Sequence, residues 1–293
     1  MLDISVVVPC YNEAESLVLL HERLSTALRA VGTQSYEIVF VDDGSTDQTF
    51  ATACRIAEQD RRVVVVRLRG NFGKAAALSA GFEHVRGAIV FTLDADLQDD
   101  PAEIPRFLAR LNEGFDLVSG WKRKRFDPWH KVLPSRIFNL VVNWATGIRL
   151  HDVNCGFKAY RREILDEIHI YGEMHRFVPV LAHWRGFRVG EIEVRHHARQ
   201  FGVSKYGVSR FFRGLMDLFT VTFLMRYRKK PAHFFGKFGI LVGFVGFLIC
   251  CYMTYLRFCG QRIGDRPLLA LGILLLTVGT QFFATGLIAE LIT

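Results

Sequence analysis

The chain has 293 residues, half of them hydrophobic, so it can bury a full core and still leave apolar sequence over. Its formal charge of +8 is unevenly spread: residues 1–100 hold 9 basic and 15 acidic side chains, residues 101–237 hold 25 and 12. No nucleic-acid module accompanies the basic half, and six cysteines without a C-x-x-C pair or zinc spacing exclude a zinc scaffold and favour a reduced, cytosol-facing domain.

In chain order, residues 4–9 read as a buried strand and 14–31 as an amphipathic helix after the turn Tyr11-Asn12-Glu13. A second strand over 36–41 runs into Asp42-Asp43-Gly44-Ser45, followed by a helix over 49–59. A third strand over 63–68, a helix over 74–85 and a fourth strand over 88–91 come next, with a fifth strand over 115–119. Nearly all-apolar strands alternating with helices predict an α/β fold around a mostly parallel sheet covered on both faces. In such a sheet the carboxyl ends share one edge, so the clusters at Pro9 to Glu13, Asp42 to Ser45 and Asp94 to Asp96 are expected to meet there. There is no G-x-G-x-x-G turn and no P-loop, so phosphate is not held on a glycine-rich loop.

Asp94 and Asp96 follow the fourth strand directly. They read either as a solvated acidic turn or as hard oxygen ligands for Mg²⁺ or Mn²⁺. For Asp99 and Asp100 the turn reading is preferred, one of them capping a helix ahead of Pro101. Asp42 reads as a ligand or as a cap. His196 and His197, adjacent on an extended segment, face opposite ways and do not form a metal pair.

Towards the carboxyl end, residues 238–256 and 268–289 carry no charge over 19 and 22 positions and predict two transmembrane helices joined by a short link. Arg226, Arg228, Lys229, Lys230 and Lys237 precede the first span, and the link holds three arginines and one aspartate. The denser side is expected to be cytoplasmic. Upstream of both spans, Tyr206, Arg210, Arg213, Asp217 and Thr220 share one helical face, opposite a face rich in phenylalanine. Residues 207–237 therefore read as amphipathic juxtamembrane helices, lying in the interface or packed on a core. Gly239 and Gly243 form a small-xxx-small face expected to dock the second span or another subunit of a homo-oligomer.

Five motifs in order carry a resemblance: Val-Val-Pro-Cys-Tyr-Asn-Glu (7–13), Val-Asp-Asp-Gly-Ser (41–45), Asp-Ala-Asp-Leu-Gln (94–98), Cys-Gly-Phe-Lys (155–158) and Gly-Val-Ser-Lys-Tyr (202–206). Over roughly the first 230 residues the chain resembles family 2 of the glycosyltransferases. The resemblance is to the polyprenyl-phosphate branch that includes dolichol-phosphate mannose synthases. It implies a GT-A domain over 1–206, ahead of the juxtamembrane segment and a membrane hairpin within 238–293.

By that resemblance Pro9, Tyr11, Glu13 and Asp43 frame the base and ribose of a nucleotide-sugar, UDP- or GDP-linked. Tyr11 and Glu13 also suit an ordinary helix start with an acidic first turn. Asp94, Asp96 and Gln98 would hold Mg²⁺ or Mn²⁺ on the diphosphate. Lys122, Lys131, Ser135, Arg199 and Lys205 match positions that hold the donor diphosphate and the lipid phosphate. Lysine stands at 122 and 131 where the family often has arginine, replacing a bidentate fork by a point charge. Part of the run Lys122 to Arg125 also suits a solvated or lipid-facing patch. Asp152 would orient the acceptor or act as a weak base, unless it only shapes its loop.

The expected activity is metal-dependent, inverting transfer of a hexose or modified sugar to undecaprenyl or dolichyl phosphate, at the cytoplasmic face of a bacterial inner membrane. The rivals are a transferase that extends a glycan, for which the Gln-x-x-Arg-Trp motif of processive members is absent, and a non-catalytic membrane scaffold. Arg199→Ala and Lys205→Ala are each expected to raise KM for the lipid phosphate or lower kcat, because each removes a charge-assisted phosphate contact. Steady-state kinetics with varied lipid phosphate checks this; normal use of the lipid by both variants would reduce the segment to a surface patch.

Overall fold

The computed structural model describes residues 2–32, 35–123, 139–144, 146–168, 170, 174–197, 216, 231–264 and 266–292. The chain divides into two compact units, Met1–Val221 and Thr222–Thr293.

In the first unit β1 (Leu2–Cys10), β2 (Tyr36–Asp42), β3 (Val63–Arg67) and β4 (Gly87–Thr92) alternate with α1 (Leu17–Ala30), α2 (Thr49–Gln59) and α3 (Lys74–His84). α4 (Ile104–Asn112), β5 (Leu117–Trp121), β6 (Lys158–Arg161), α5 (Arg162–Glu167), α6 (Val178–Trp184) and β7 (Val189–Glu193) follow. The strands form one sheet in the order β3-β2-β1-β4-β6-β5-β7. β1, β2, β3 and β4 pair in parallel; β6 alone runs against its neighbours β4 and β5. The expected mostly parallel α/β sheet is therefore present, with element ends displaced by a few residues.

β-branched side chains on both faces explain why these segments are strands. Val6, Val8, Ile38 and Phe40 are buried under the helices and join Leu20, Leu24 and Phe107 in one apolar core. Each such side chain contributes about 1.5–3 kcal/mol on burial. α4 presents Ile104, Phe107 and Leu111 inward, and Phe107 stacks on Phe157 with centroids 4.4 Å apart. Phe91 of β4 packs against both rings, which ties the chain beyond the parallel half onto that strand.

The buried acid at the amino end of β2 is matched. Glu37 on β2 is 1% exposed and accepts the Ser5 hydroxyl at 2.6 Å, the Arg86 backbone N–H at 2.6 Å and the Arg86 guanidinium at 2.7 Å. A buried carboxylate is tolerable only with such company. This pair closes the amino edge of the sheet, opposite the edge where the motifs gather.

The second unit is a helical hairpin of α7 (Pro231–Phe258) and α8 (Pro267–Ile292). At about 1.5 Å per residue both exceed the ~30 Å hydrocarbon thickness of a bilayer. Only 17% and 11% of their most apolar windows are buried, so these are not core helices of a water-soluble domain. Their outer surfaces suit hydrocarbon as solvent, and the chain is a membrane protein. Apart from Met216, residues 207–230 lie outside the described residues.

The helices touch through glycine. A methyl at Gly279 would stand 2.6 Å from the Gly243 nitrogen and 2.7 Å from the Gly239 carbonyl oxygen, and one at Gly246 would stand 2.7 Å from the Leu276 nitrogen. The expected notch thus docks the second span. Gly243 is its loosest member, since a methyl there meets only the Gly279 Cα at 3.9 Å. Gly279→Leu is expected to destabilise the hairpin by about 1–3 kcal/mol, as overpacking does, while Gly243→Ala leaves it intact. Cysteine cross-linking between the spans in detergent, with thermal unfolding alongside, checks the contrast.

Candidate functional site

β2, β1 and β4 lie side by side, so their carboxyl ends bring the three polar clusters together. Beyond β1, Asn12 adopts φ 55, a left-handed turn that asparagine tolerates. Its side-chain oxygen accepts the Thr46 N–H at 2.9 Å, and its own N–H donates to Ser45 Oγ at 3.0 Å. The Glu13 N–H donates to Thr49 Oγ1 at 2.8 Å. The turns after β1 and β2 are thereby stitched together, and Pro9, Tyr11 and Glu13, all half-buried, share one edge with Asp43.

Asp42 is buried, accepts the Ser45 N–H at 3.2 Å and lies 3.5 Å from Arg67 Nε, so it caps its turn. Asp43 accepts the N–H groups of Phe72 at 2.8 Å and Gly73 at 2.9 Å, which fixes the loop leading into α3. Burial pushes its carboxyl above the usual range, and those two N–H groups partly offset it.

Beyond β4 the chain leaves the strand and turns, yet burial still alternates along it. Leu93, Ala95, Leu97 and Asp99 are buried, while Asp94, Asp96, Gln98 and Asp100 stand on the open face. Asp94, Asp96 and Gln98 are thus, with Asp100, the half-buried members of this stretch. Leu97 is held at φ 61 with its side chain in the core. Strain of this kind costs about 1–3 kcal/mol and gathers at functional turns.

Asp94 is met by Lys74, whose Nζ donates to Oδ1. Burial raises the Asp94 carboxyl, but Lys74 and then Lys122 reverse this and hold it below the ordinary carboxylate range. Gly156 backs the carboxylate: a methyl there would stand 2.7 Å from Oδ2 and 2.9 Å from Oδ1. Asp96 Oδ1 accepts the Gln98 N–H at 3.2 Å, and Gln98 Nε2 lies 3.4 Å from the His197 carbonyl oxygen.

Asp100 caps the short 3₁₀ turn Pro101–Glu103 through the Ala102 N–H, as expected, and also meets His197 Nε2 at 3.2 Å. Asp99 corrects the sequence reading. Its parity turns it inward, where it is 1% exposed, pairs with Lys122 Nζ at 2.7 Å and bridges His196 through the backbone. Lys122 is accordingly held inside the site. Burial pulls its ammonium down, and Asp99 foremost reverses that, leaving it above the usual lysine value. Lys158, behind Gly156 in the same motif, is buried, donates to the Cys155 carbonyl and is brought down to about 8 by burial.

Asp152 is 1% exposed; its Oδ1 accepts the Asn154 N–H at 3.2 Å, and its own N–H donates to Glu191 Oε1 at 2.9 Å. Glu191 also holds the His151 N–H and ring, and that ring stacks on Trp121 with centroids 4.1 Å apart. Lys131, Ser135, Arg199 and Lys205 lie outside the described residues.

Sequence reasoning missed Lys74, Gly156 and Glu191. For Lys74 a signal existed: a lysine opening α3 opposes the helix dipole, so its charge needs a partner elsewhere.

Among the described residues no three His, Cys, Asp or Glu side chains converge as a metal cage. A divalent ion held by one or two carboxylates together with substrate phosphates has a different requirement. Asp94, kept ionised and already carrying an ammonium on Oδ1, and Asp96 beside it fit that donor set.

The family model for glycosyl transferase family 2 matches residues 5–169. The chain is 41% identical over 297 residues to dodecaprenyl-phosphate galacturonate synthase of Rhizobium johnstonii, covering 99% of this chain and 88% of that protein. It is 37% identical to undecaprenyl-phosphate 4-deoxy-4-formamido-L-arabinose transferase of an Enterobacter species, with the same coverage. The fold is shared with glucosyl-3-phosphoglycerate synthase from Mycobacterium tuberculosis, solved with Mn²⁺ and UDP-glucose: TM-score 0.58, 22% identity, 75% of this chain and 78% of that one.

Gly156→Ala is expected to displace the Asp94 carboxylate by several tenths of an ångström and to lower kcat by about 10²-fold, the usual cost of misplacing a reacting geometry. Turnover measured beside the thermal midpoint checks this. A rate within two-fold of wild type would remove Gly156 from the site.

Proposed function

This chain belongs to glycosyl transferase family 2, and from that premise we propose that it transfers a sugar from a UDP- or GDP-sugar to a polyprenyl phosphate, with inversion and with a divalent metal. The observation that carries the reading is the 41% identity to a polyprenyl-phosphate sugar synthase over 99% of the chain, hairpin included. A soluble acceptor would give the apolar helices no part in the reaction; a lipid acceptor explains why they accompany the sheet.

Pro9, Tyr11, Glu13 and Asp43 frame the nucleoside on the β1–β2 side of the edge. Asp94 and Asp96 hold Mg²⁺ or Mn²⁺, with Gln98 beside them on the open face. When bound, the ion neutralises charge on the leaving diphosphate. The nucleophile is the acceptor's own phosphate oxygen. With a second pKa near 6 a phosphate monoester is largely ionised at neutral pH, so no strong base is needed.

Positioning and charge then supply the rate. Lys122, fixed by Asp99, gives the site permanent positive charge. Lys131, Ser135, Arg199 and Lys205 supply the acceptor-phosphate contacts in this reading. Asp152, buried and with its backbone N–H tied to Glu191, orients the acceptor or acts as a weak base in this reading. The basic cluster from Arg226 to Lys237 sets the catalytic unit on the cytoplasmic face, which in a bacterium is that of the inner membrane.

Purified full-length protein in detergent, given a panel of UDP- and GDP-sugars with undecaprenyl phosphate, is expected to form a glycosyl phospholipid from one donor class. Donor consumption that ignores the lipid would overturn the reading. Asp96→Asn keeps the side-chain volume and is expected to lose at least ~10²-fold in turnover while folding normally. Near-normal turnover of Asp96→Asn with Mg²⁺ would remove the metal from the mechanism.

A further inference from the structure

Three ammonium groups act on Asp94: Lys74 by a direct hydrogen bond to Oδ1, Lys122 from its place on Asp99, and Lys158 from behind Gly156. Lys74 differs from the other two. Lys158 is buried and the Lys122 side chain keeps 14% of its surface in solvent, whereas Lys74 is the most exposed of the three at 27%. The loop before it is pinned. Gly73, immediately before it, donates its N–H to Asp43 at 2.9 Å, and Phe72 does the same at 2.8 Å. The loop that Asp43 pins on the nucleoside side therefore delivers Lys74 onto the carboxylate on the metal side.

A divalent ion on either oxygen of Asp94 would stand within a few ångströms of that ammonium, with Lys122 and Lys158 adding to the repulsion. An ion arriving alone gives the site surplus positive charge. An ion arriving with a diphosphate brings the compensating anion, and phosphate oxygens also offer Lys74 charge-assisted partners in place of Asp94.

We infer that Lys74 occupies the cation position on Asp94 in the nucleotide-free protein and yields it when a divalent ion and a nucleoside diphosphate arrive together. Lys74 is thus the positioning residue that couples the two ligands. The inference rests on the metal role given to Asp94 under the proposed function. By linkage, the factor by which nucleotide tightens the ion equals the factor by which the ion tightens nucleotide.

Mn²⁺ binding to full-length protein in detergent, followed by electron paramagnetic resonance with and without UDP or GDP, tests this. Wild type is expected to bind Mn²⁺ weakly alone and at least ~10-fold more tightly with one of the nucleotides. Lys74→Met is expected to bind Mn²⁺ alone at least ~10-fold more tightly than wild type, with the nucleotide adding about two-fold or less. Lys74→Gln, a second neutral variant, should match it, and Lys74→Arg should keep the wild-type pattern. A merely structural lysine would not give tighter metal binding on removal. Nucleotide-dependent Mn²⁺ binding that is the same in wild type and both neutral variants overturns the inference and leaves the proposed function standing. No Mn²⁺ binding by wild type under any condition overturns the metal reading and the inference with it.

Discussion

Carboxylates crowded on one edge of a sheet repel, and the first unit is arranged around meeting that repulsion. Parallel pairing of β2, β1 and β4 leaves no choice about where their ends fall, so Glu13, Asp42, Asp43, Asp94, Asp96 and Asp99 share one edge. Four of them have an answer of their own. Asp42 takes Arg67 and a turn N–H; Asp43 takes two loop N–H groups; Asp94 takes Lys74; Asp99 takes Lys122. These answers are also what fixes the loops, because a backbone that donates to a carboxylate cannot move without exposing it. The charge pattern and the loop geometry have one cause.

The opposite edge shows the same physics put to a different use. Glu37 is as buried as Asp99, yet its partners Ser5 and Arg86 satisfy it completely, and the motifs do not come near it. Burial of a charge alone does not mark a functional position. What separates the two edges is that on the carboxyl side Lys74 holds an acid, Asp94, that stays half-exposed, with the half-exposed Asp96 beside it.

The parallel half was legible because its strands are nearly pure Val, Ile and Phe, a pattern with few other readings. β6 was not: Lys158–Arg161 is four residues long and carries lysine, tyrosine and arginine, so no alternation announces it. Its reversed direction is what brings Gly156 to the end of β4, and periodicity says nothing about direction. Asp99 was misread for a related reason. The sequence offers Asp99 and Asp100 alike as the cap of the turn; the bend at Leu97 leaves Asp100 in that place and sends Asp99 inward to Lys122, which no spacing announces. The hairpin was legible from length alone, but which glycine carries the contact depends on the rotation of α8 against α7, which spacing within one helix does not define.

The pairing of Asp99 with Lys122 bears on how such chains can be recombined. Lys122 opens the basic stretch 122–136, and His196, bridged to the same aspartate, precedes the stretch that holds Arg199 and Lys205. Lys122 and His196, far apart in the chain, thus meet at one interior acid. A chimera joined between residues 99 and 122 would inherit the acid from one parent and its cation from another. If the second parent's side chain at 122 does not reach, a buried charge is stranded at a cost of about 3–5 kcal/mol. Under the proposed function, exchange of acceptor preference between relatives is therefore constrained to blocks that carry position 99 along with both basic stretches.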